Sequence, residues 1–221
     1  MNNEIFEFLY DLERNNNKAW FALNKQRYEE AKKSMERFVS KLILNINSFD
    51  ADIDIRDASK TFFRIYRDTR FSSNKDPYKT NFGAIIVPEN YRRSWDYPGY
   101  YLHLQNDNSF ISMGIYMPSA PKLKQLRHAV DEDFDLFAAM VKRLESSFGK
   151  LSREEEPLKR VPAGFDKNSP AAEYLKLKNF YVFKEFSNEE VLKDDFLERI
   201  TSLYKQSFEL KEWFAKALRE D

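Results

Sequence analysis

Between Glu4 and Arg14, apolar residues fall at Ile5, Phe8, Leu9 and Leu12, one stripe of a helix. The run Asn15-Asn16-Asn17 ends that helix and offers a cap to the next. Trp20, Phe21, Tyr28, Ala31, Met35, Phe38, Leu42 and Ile46 then recur at steps of three, four or seven, predicting a second, long helix. Glu29, Lys33, Glu36 and Lys41 mark its solvated face, with Glu29 and Lys33 one turn apart. Beyond residue 60 the pattern turns to alternation. Thr61–Tyr66, Phe82–Val87, Tyr100–Gln105 and Phe110–Met117 read as strands, the last two joined through Asn106-Asp107-Asn108 as a hairpin. Pro121 opens a helical region to about Ser146 with a break near Val130, and Ser147 to Pro170 reads as irregular. Ser169-Pro170 predicts a cap and first-turn proline for a short helix to Leu177. Asn179–Phe186 reads as a fifth strand, Ser187 to Glu190 matches a capping box, and helix follows to the C-terminus. Helices at both ends of a strand-rich middle, without regular βαβ units, indicate one α+β domain over residues 1–221, with a mainly antiparallel sheet.

Alternation also sorts the strand faces. Leu102 and Leu104 share one face of their strand, and Tyr101, His103 and Gln105 the other. Ile111, Met113, Ile115 and Met117 oppose Ser112, Gly114 and Tyr116. Matching apolar faces sets Leu102 opposite Met113 and His103 opposite Ser112. With Arg64 and Tyr66 in phase, a polar face of Arg64, Tyr66, Tyr101, His103, Ser112 and Tyr116 is expected, Gly114 leaving room for a ligand or a large side chain.

Composition narrows the chemistry. Thirty-six basic residues balance thirty-six acidic ones among 221, so a nucleic acid or anionic surface has to be read by a local patch. Aromatics are 16% of the chain, so rings fill much of the core. The absence of cysteine removes disulfides and thiolate chemistry and fits a reducing, cytoplasmic setting. No basic, uninterrupted apolar leader opens the chain, and no apolar run approaches the roughly 20 residues that span a bilayer, so no membrane partner is expected. Five glycines form neither a GxGxxG turn nor a P-loop. Two distant histidines speak against zinc. Asp50, Asp52 and Asp54 imitate an EF-hand opening, but Ile55 and Thr61 stand at its glycine and glutamate positions. Asp131, Glu132, Asp133 and Asp135 read as acids at a helix start. No metal or cofactor is expected.

One stretch stands out. RIYRDTRFSSNKDPYKTNFGA, from Arg64 to Ala84, carries Arg64, Arg67, Arg70, Lys75 and Lys79 against Asp68 and Asp76, with Tyr66, Phe71, Tyr78 and Phe82 interleaved. This stretch resembles the signature of the DUF2461 family, proteins of unknown function. Further agreement lies in NNNKAWFALNKQRYEEA, in PGYYLHL at Pro98–Leu104, in Gly114–Pro118 and in LKRVPAGFD at Leu158–Asp166. Thr69 and Ser73 depart from the pattern without touching the arginines. The resemblance implies a single compact α+β domain and no particular activity.

Three readings of the cluster follow from its residues. In the first, Arg67, Arg70, Lys75, Tyr78, Lys79, Tyr66 and Tyr101 bind a small phosphate- or carboxylate-bearing ligand, guanidinium forks and ammonium groups suiting such oxygens. If the protein is an enzyme, His103 serves as general acid or base and Arg64 stabilises developing negative charge. In the second, the cations track nucleic-acid phosphates while Tyr78 or Phe71 stacks on bases. In the third, helix carboxylates neutralise every cation, and the cluster is an internal ion-pair network of a structural or protein-interaction domain.

Overall fold

A computed structural model of the chain describes residues 1, 3–91, 96–151 and 156–219. Among them, helices α1 (Glu4–Arg14), α2 (Lys18–Leu23) and α3 (Lys25–Asn47) lead to strands β1 (Asn81–Ile86), β2 (Gly99–Gln105) and β3 (Ser109–Ile115). Then come α4 (Ala120–Glu132), α5 (Phe134–Phe148), α6 (Ala172–Leu175), β4 (Phe180–Phe186), α7 (Asn188–Val191) and α8 (Phe196–Leu218). The strands form one antiparallel sheet in the order β1-β2-β3-β4, and the class is α+β. Two compact units are distinguishable, Met1–Ile86 with Tyr101–Ile111 and Glu185–Ser202, and Val87–Tyr100 with Ser112–Lys184 and Leu203–Asp221.

In the first unit, α1 buries Ile5, Phe8, Leu9 and Leu12, as its stripe predicts, together with Phe6. The Asn17 side chain accepts from the Trp20 N–H at 3.0 Å and caps α2. The expected long second helix is two helices, broken at Asn24. Its side-chain amide donates to Trp20 O at 3.0 Å, the competition for helix carbonyls that makes asparagine a helix terminator. A seven-residue step from Phe21 to Tyr28 passes over such a break unseen. Phe8 gathers Trp20, Phe21, Tyr28 and Phe82 within 6.5 Å, so rings form this core. On the wet side of α3, Lys32 and Glu36 pair at 3.5 Å.

Thr61–Tyr66 is not a strand of the sheet. Thr61 closes a 3-10 turn (Ala58–Thr61), its hydroxyl donating to Ala58 O at 2.7 Å, and the residues after it form two isolated antiparallel bridges, Phe62 with Ala84 and Tyr66 with Tyr78, in place of a strand. The β2–β3 hairpin forms where expected. Asp107 takes a positive φ of 54°, and Ser109 Oγ donates to Gln105 O at 2.9 Å. The capping box at Ser187 and Glu190 is present in full.

In the second unit, Phe137 packs among Tyr174, Phe180, Trp213 and Phe214, with ring centroids 5.2 to 6.4 Å apart. The helical region after Pro121 breaks at Asp133, so Asp131 and Glu132 close α4 and only Asp135 lies in the first turn of α5. Asp131 instead accepts from Ser169 Oγ at 2.5 Å. The helix expected from Pro170 to Leu177 shrinks to α6, preceded by a turn. Gly114 leaves no room for a ligand. A Cβ there would stand 2.2 Å from Phe180 O and 2.5 Å from Tyr181 Cα, so the glycine serves close backbone approach. Met117 lies beyond β3, 61% exposed. In the stretch Ser147 to Pro170, expected to be irregular, residues 152–155 lie outside the described residues, as do residues 220 and 221, to which the C-terminal helix was expected to run. Among the described residues, no helix is long and apolar enough to cross a membrane.

Candidate functional site

The basic stretch folds back on itself. Tyr66 and Tyr78 form an antiparallel bridge, flanked by hydrogen bonds from Arg67 N to Pro77 O (2.9 Å) and from Lys79 N to Ile65 O (2.7 Å). In such a pairing, residues beside the bridge point to the opposite side from it. Arg67 and Lys79 therefore share one side with Ile65, while Tyr66 and Tyr78 share the other.

The Tyr66 side is an aromatic floor. Tyr78 is 5% exposed and stacks on Phe21 at 4.0 Å, and Tyr66 packs against Tyr78 at 5.4 Å and Phe21 at 6.4 Å. Burial raises the Tyr78 pKa, with a smaller contribution from Tyr66. One face of the Tyr78 ring is thus taken by the core, while Tyr66 remains 56% exposed. Asn16 fastens this floor from the N-terminal asparagine run. It accepts from Tyr78 N (3.1 Å) and donates to Tyr78 O (3.0 Å). The asparagine run signals a helix end and a cap for the next helix, and hydropathy carries no signal for this long-range role of Asn16.

On the other side, the Lys79 ammonium lies over the Phe63 ring at 5.3 Å, and Phe63 meets Tyr101 edge-on at 6.0 Å. Phe63, and not Arg64 or Tyr66, is therefore the residue set against Tyr101, which corrects the expected shared face. Phe63 and Phe110 half-cover the Tyr101–His103 face. His103 stacks on Phe110 at 4.6 Å, two residues before Ser112 on the same face of β3. Ser112 and Tyr116 fall in the second unit, where Tyr116 packs edge-on against Tyr181 at 5.9 Å.

Tyr101, His103 and Gln105 form a hydrogen-bonded row along β2. Tyr101 Oη lies 3.0 Å from His103 Nδ1, and His103 Nε2 lies 3.0 Å from Gln105 Oε1. Burial pushes the Tyr101 pKa up to about 12, so its hydroxyl keeps its proton. A hydroxyl donating to Nδ1 leaves the proton on Nε2, which then donates to the Gln105 carbonyl oxygen. Burial also lowers the His103 pKa; the Gln105 hydrogen bond opposes this, and the Lys79 charge adds to it. The imidazole is neutral, with both nitrogens engaged.

The five cations separate into two sorts. Arg70 is clasped by Asp68, with Nη2 at 2.7 Å from Oδ2 and Nε at 3.0 Å from Oδ1. These bonds, the Arg70 backbone N–H and the Arg64 charge hold the Asp68 pKa at about 2. Lys75 donates to Thr69 O at 2.9 Å. Both brace the exposed loop. By contrast, among the described residues no carboxylate lies within ion-pair distance of Arg64, Arg67 or Lys79. Partial burial, then the charges of Arg64 and Arg67, lower the Lys79 pKa. The charges of Arg64 and Arg67 thus act on a half-buried ammonium that lies over Phe63, itself edge-on to Tyr101. Phe71, at the far end of the loop, is 96% exposed. His128 lies in the second unit, exposed, with its ring 4.7 Å from Phe165.

A family model described as a conserved hypothetical protein, DUF2461, matches residues 4–213. No curated protein and no solved structure matches the chain.

Proposed function

The chain belongs to the DUF2461 family, and from its own residues we propose that it binds a small anionic ligand, phosphate- or carboxylate-bearing, at Arg64, Arg67 and Lys79. One observation carries this reading: these three cations have no carboxylate partner among the described residues, although Lys79 is half-buried beside both arginines. Partially desolvated like charges are unfavourable unless a counter-charge joins them. An anion supplies it, held by guanidinium forks and a point charge. Phe63 stands between Lys79 and Tyr101, the Lys79 charge reaches His103, and Tyr66 is the exposed rim of the opposite side. His103 is the group here whose ordinary pKa lies nearest neutrality, so any acid–base step of the site runs through it. Arg70 and Lys75 act as braces of the loop. A cysteine-free chain of balanced charge fits a soluble, cytoplasmic protein.

A thermal-shift screen with phosphate, sulfate, nucleotides, sugar phosphates and dicarboxylates tests the reading. The wild type gains stability with at least one class, Arg67→Ala loses the response and Arg70→Ala keeps it. A flat screen, or an equal response from Arg67→Ala, refutes it.

Exposure of Phe71 on the loop that bears Arg67, Arg70 and Lys75 favours a second reading, single-stranded nucleic acid stacking on that ring. Its mark is binding that weakens steeply with salt and is lost in Phe71→Ala.

A further inference from the structure

We propose that the group bound at Arg64, Arg67 and Lys79 is a dianion, a phosphate monoester, and not a singly charged carboxylate or sulfate ester. This rests on the anion-binding reading above and specifies it. Arg67 and Lys79 sit on one side of the Tyr66–Tyr78 bridge, the one opposite Pro77 and the other opposite Ile65. They are diagonal neighbours across the pairing, about 7–8 Å apart at Cα, within reach of a single small group for two long side chains. Arg64 acts electrostatically on the same ammonium. A ligand with one negative charge leaves Arg67 or Lys79 uncompensated, with the Arg64 charge still acting on the ammonium. A phosphate monoester carries about −1.5 to −2 at pH 7 and presents three acceptor oxygens in different directions.

Hydrogen bonding favours the fully deprotonated form of such a group over a protonated one. The imidazole that the Lys79 charge reaches has both nitrogens engaged, Nδ1 with the Tyr101 hydroxyl and Nε2 with Gln105. What Arg64, Arg67 and Lys79 offer a ligand is N–H donors alone, since neither side chain type can accept. An acceptor-only group satisfies such a site; a protonated oxygen in it meets donors. Lys79, lying over Phe63 and partly out of water, has the greatest need of the extra charge.

Titration calorimetry with phenyl phosphate, phenyl sulfate and benzoate at pH 8 holds the ring constant and varies the charge. Phenyl phosphate binds about tenfold or more tighter than the other two. At pH 5, where it is mostly a monoanion, it loses most of that advantage. Phenyl sulfate, whose charge is constant, reports any change in His103, Asp68 and Lys79 over the same range. Lys79→Met and Arg67→Ala, checked for native circular dichroism, weaken phenyl phosphate at least about tenfold, and Arg70→Ala does not. If benzoate or phenyl sulfate binds as tightly as phenyl phosphate, the dianion inference falls and the anion site stands. If none of the three binds, or the two variants bind phenyl phosphate as the wild type does, the site itself is withdrawn and the inference with it.

Discussion

Asn16 and Tyr78, 62 residues apart, exchange two hydrogen bonds: the Asn16 amide accepts from the Tyr78 N–H at 3.1 Å and donates to the Tyr78 carbonyl at 3.0 Å. A side chain here does what a neighbouring strand does elsewhere, satisfying both backbone groups of a residue whose ring is buried. Asn16→Ala leaves that donor and acceptor without partners and is expected to destabilise the protein by about 1–3 kcal/mol in urea titration. Asn16→Asp, able to accept but not to donate, falls between. Because Lys79 follows Tyr78 directly, Asn16→Ala also weakens anion binding.

Lys79→Met separates a bound-anion site from a self-contained ion-pair network. Breaking a buried pair costs about 3–5 kcal/mol. Removing a half-buried cation that two arginines repel, and keeping an apolar stem over Phe63, instead leaves the melting temperature unchanged or higher. A large drop in calorimetric melting temperature favours the network.

Gly83 and Tyr101 are coupled by space. A Cβ on Gly83 would lie 2.6 Å from Tyr101 Oη and 3.3 Å from Phe63 Cδ2. Gly83→Ala therefore displaces the hydroxyl from His103 and costs about 1–3 kcal/mol. In Gly83→Ala with Tyr101→Phe the closest clash is gone, so the double variant is more stable than the sum of the single losses. Strict additivity in denaturant titrations would show that the contact relaxes freely.

His103 makes stability depend on pH. Its pKa in the folded protein is below the ordinary 6.5, burial being the main cause. Between the folded and unfolded values the unfolded chain binds more protons, so stability rises with pH through that interval. The contribution is complete above about pH 6.5 and is lost as the pH falls toward the depressed value. His103→Gln is expected to flatten this part of a stability profile between pH 7 and 5. An unchanged slope would place the titrating group elsewhere.

Gly114→Ala combines a positive φ of 142° with a Cβ 2.2 Å from a strand carbonyl oxygen. Backbone cannot yield as a side-chain tip does, so this substitution is expected to cost more than about 4 kcal/mol or to prevent folding, unlike Gly83→Ala. Soluble expression and circular dichroism separate the two.

Features that rest on neighbours in the chain are legible in the sequence. The α1 stripe, the Asn17 cap, the β2–β3 turn and the Ser187–Glu190 box each bind groups within a few residues, and propensity and spacing report such interactions directly. So did the crowding of five cations around two acids. What spacing does not contain is which surface covers which. Thr61–Tyr66 alternates like a strand yet pairs only at two bridges, because a 3-10 turn occupies its start. Gly114 looks like space and is filled by the backbone of β4. Arg70 and Arg67 are chemically alike and three residues apart, but only Arg70 curls back onto Asp68. The difference between a braced cation and an unmatched one is a matter of distance in three dimensions, where charge, burial and hydrogen bonding act and residue order does not.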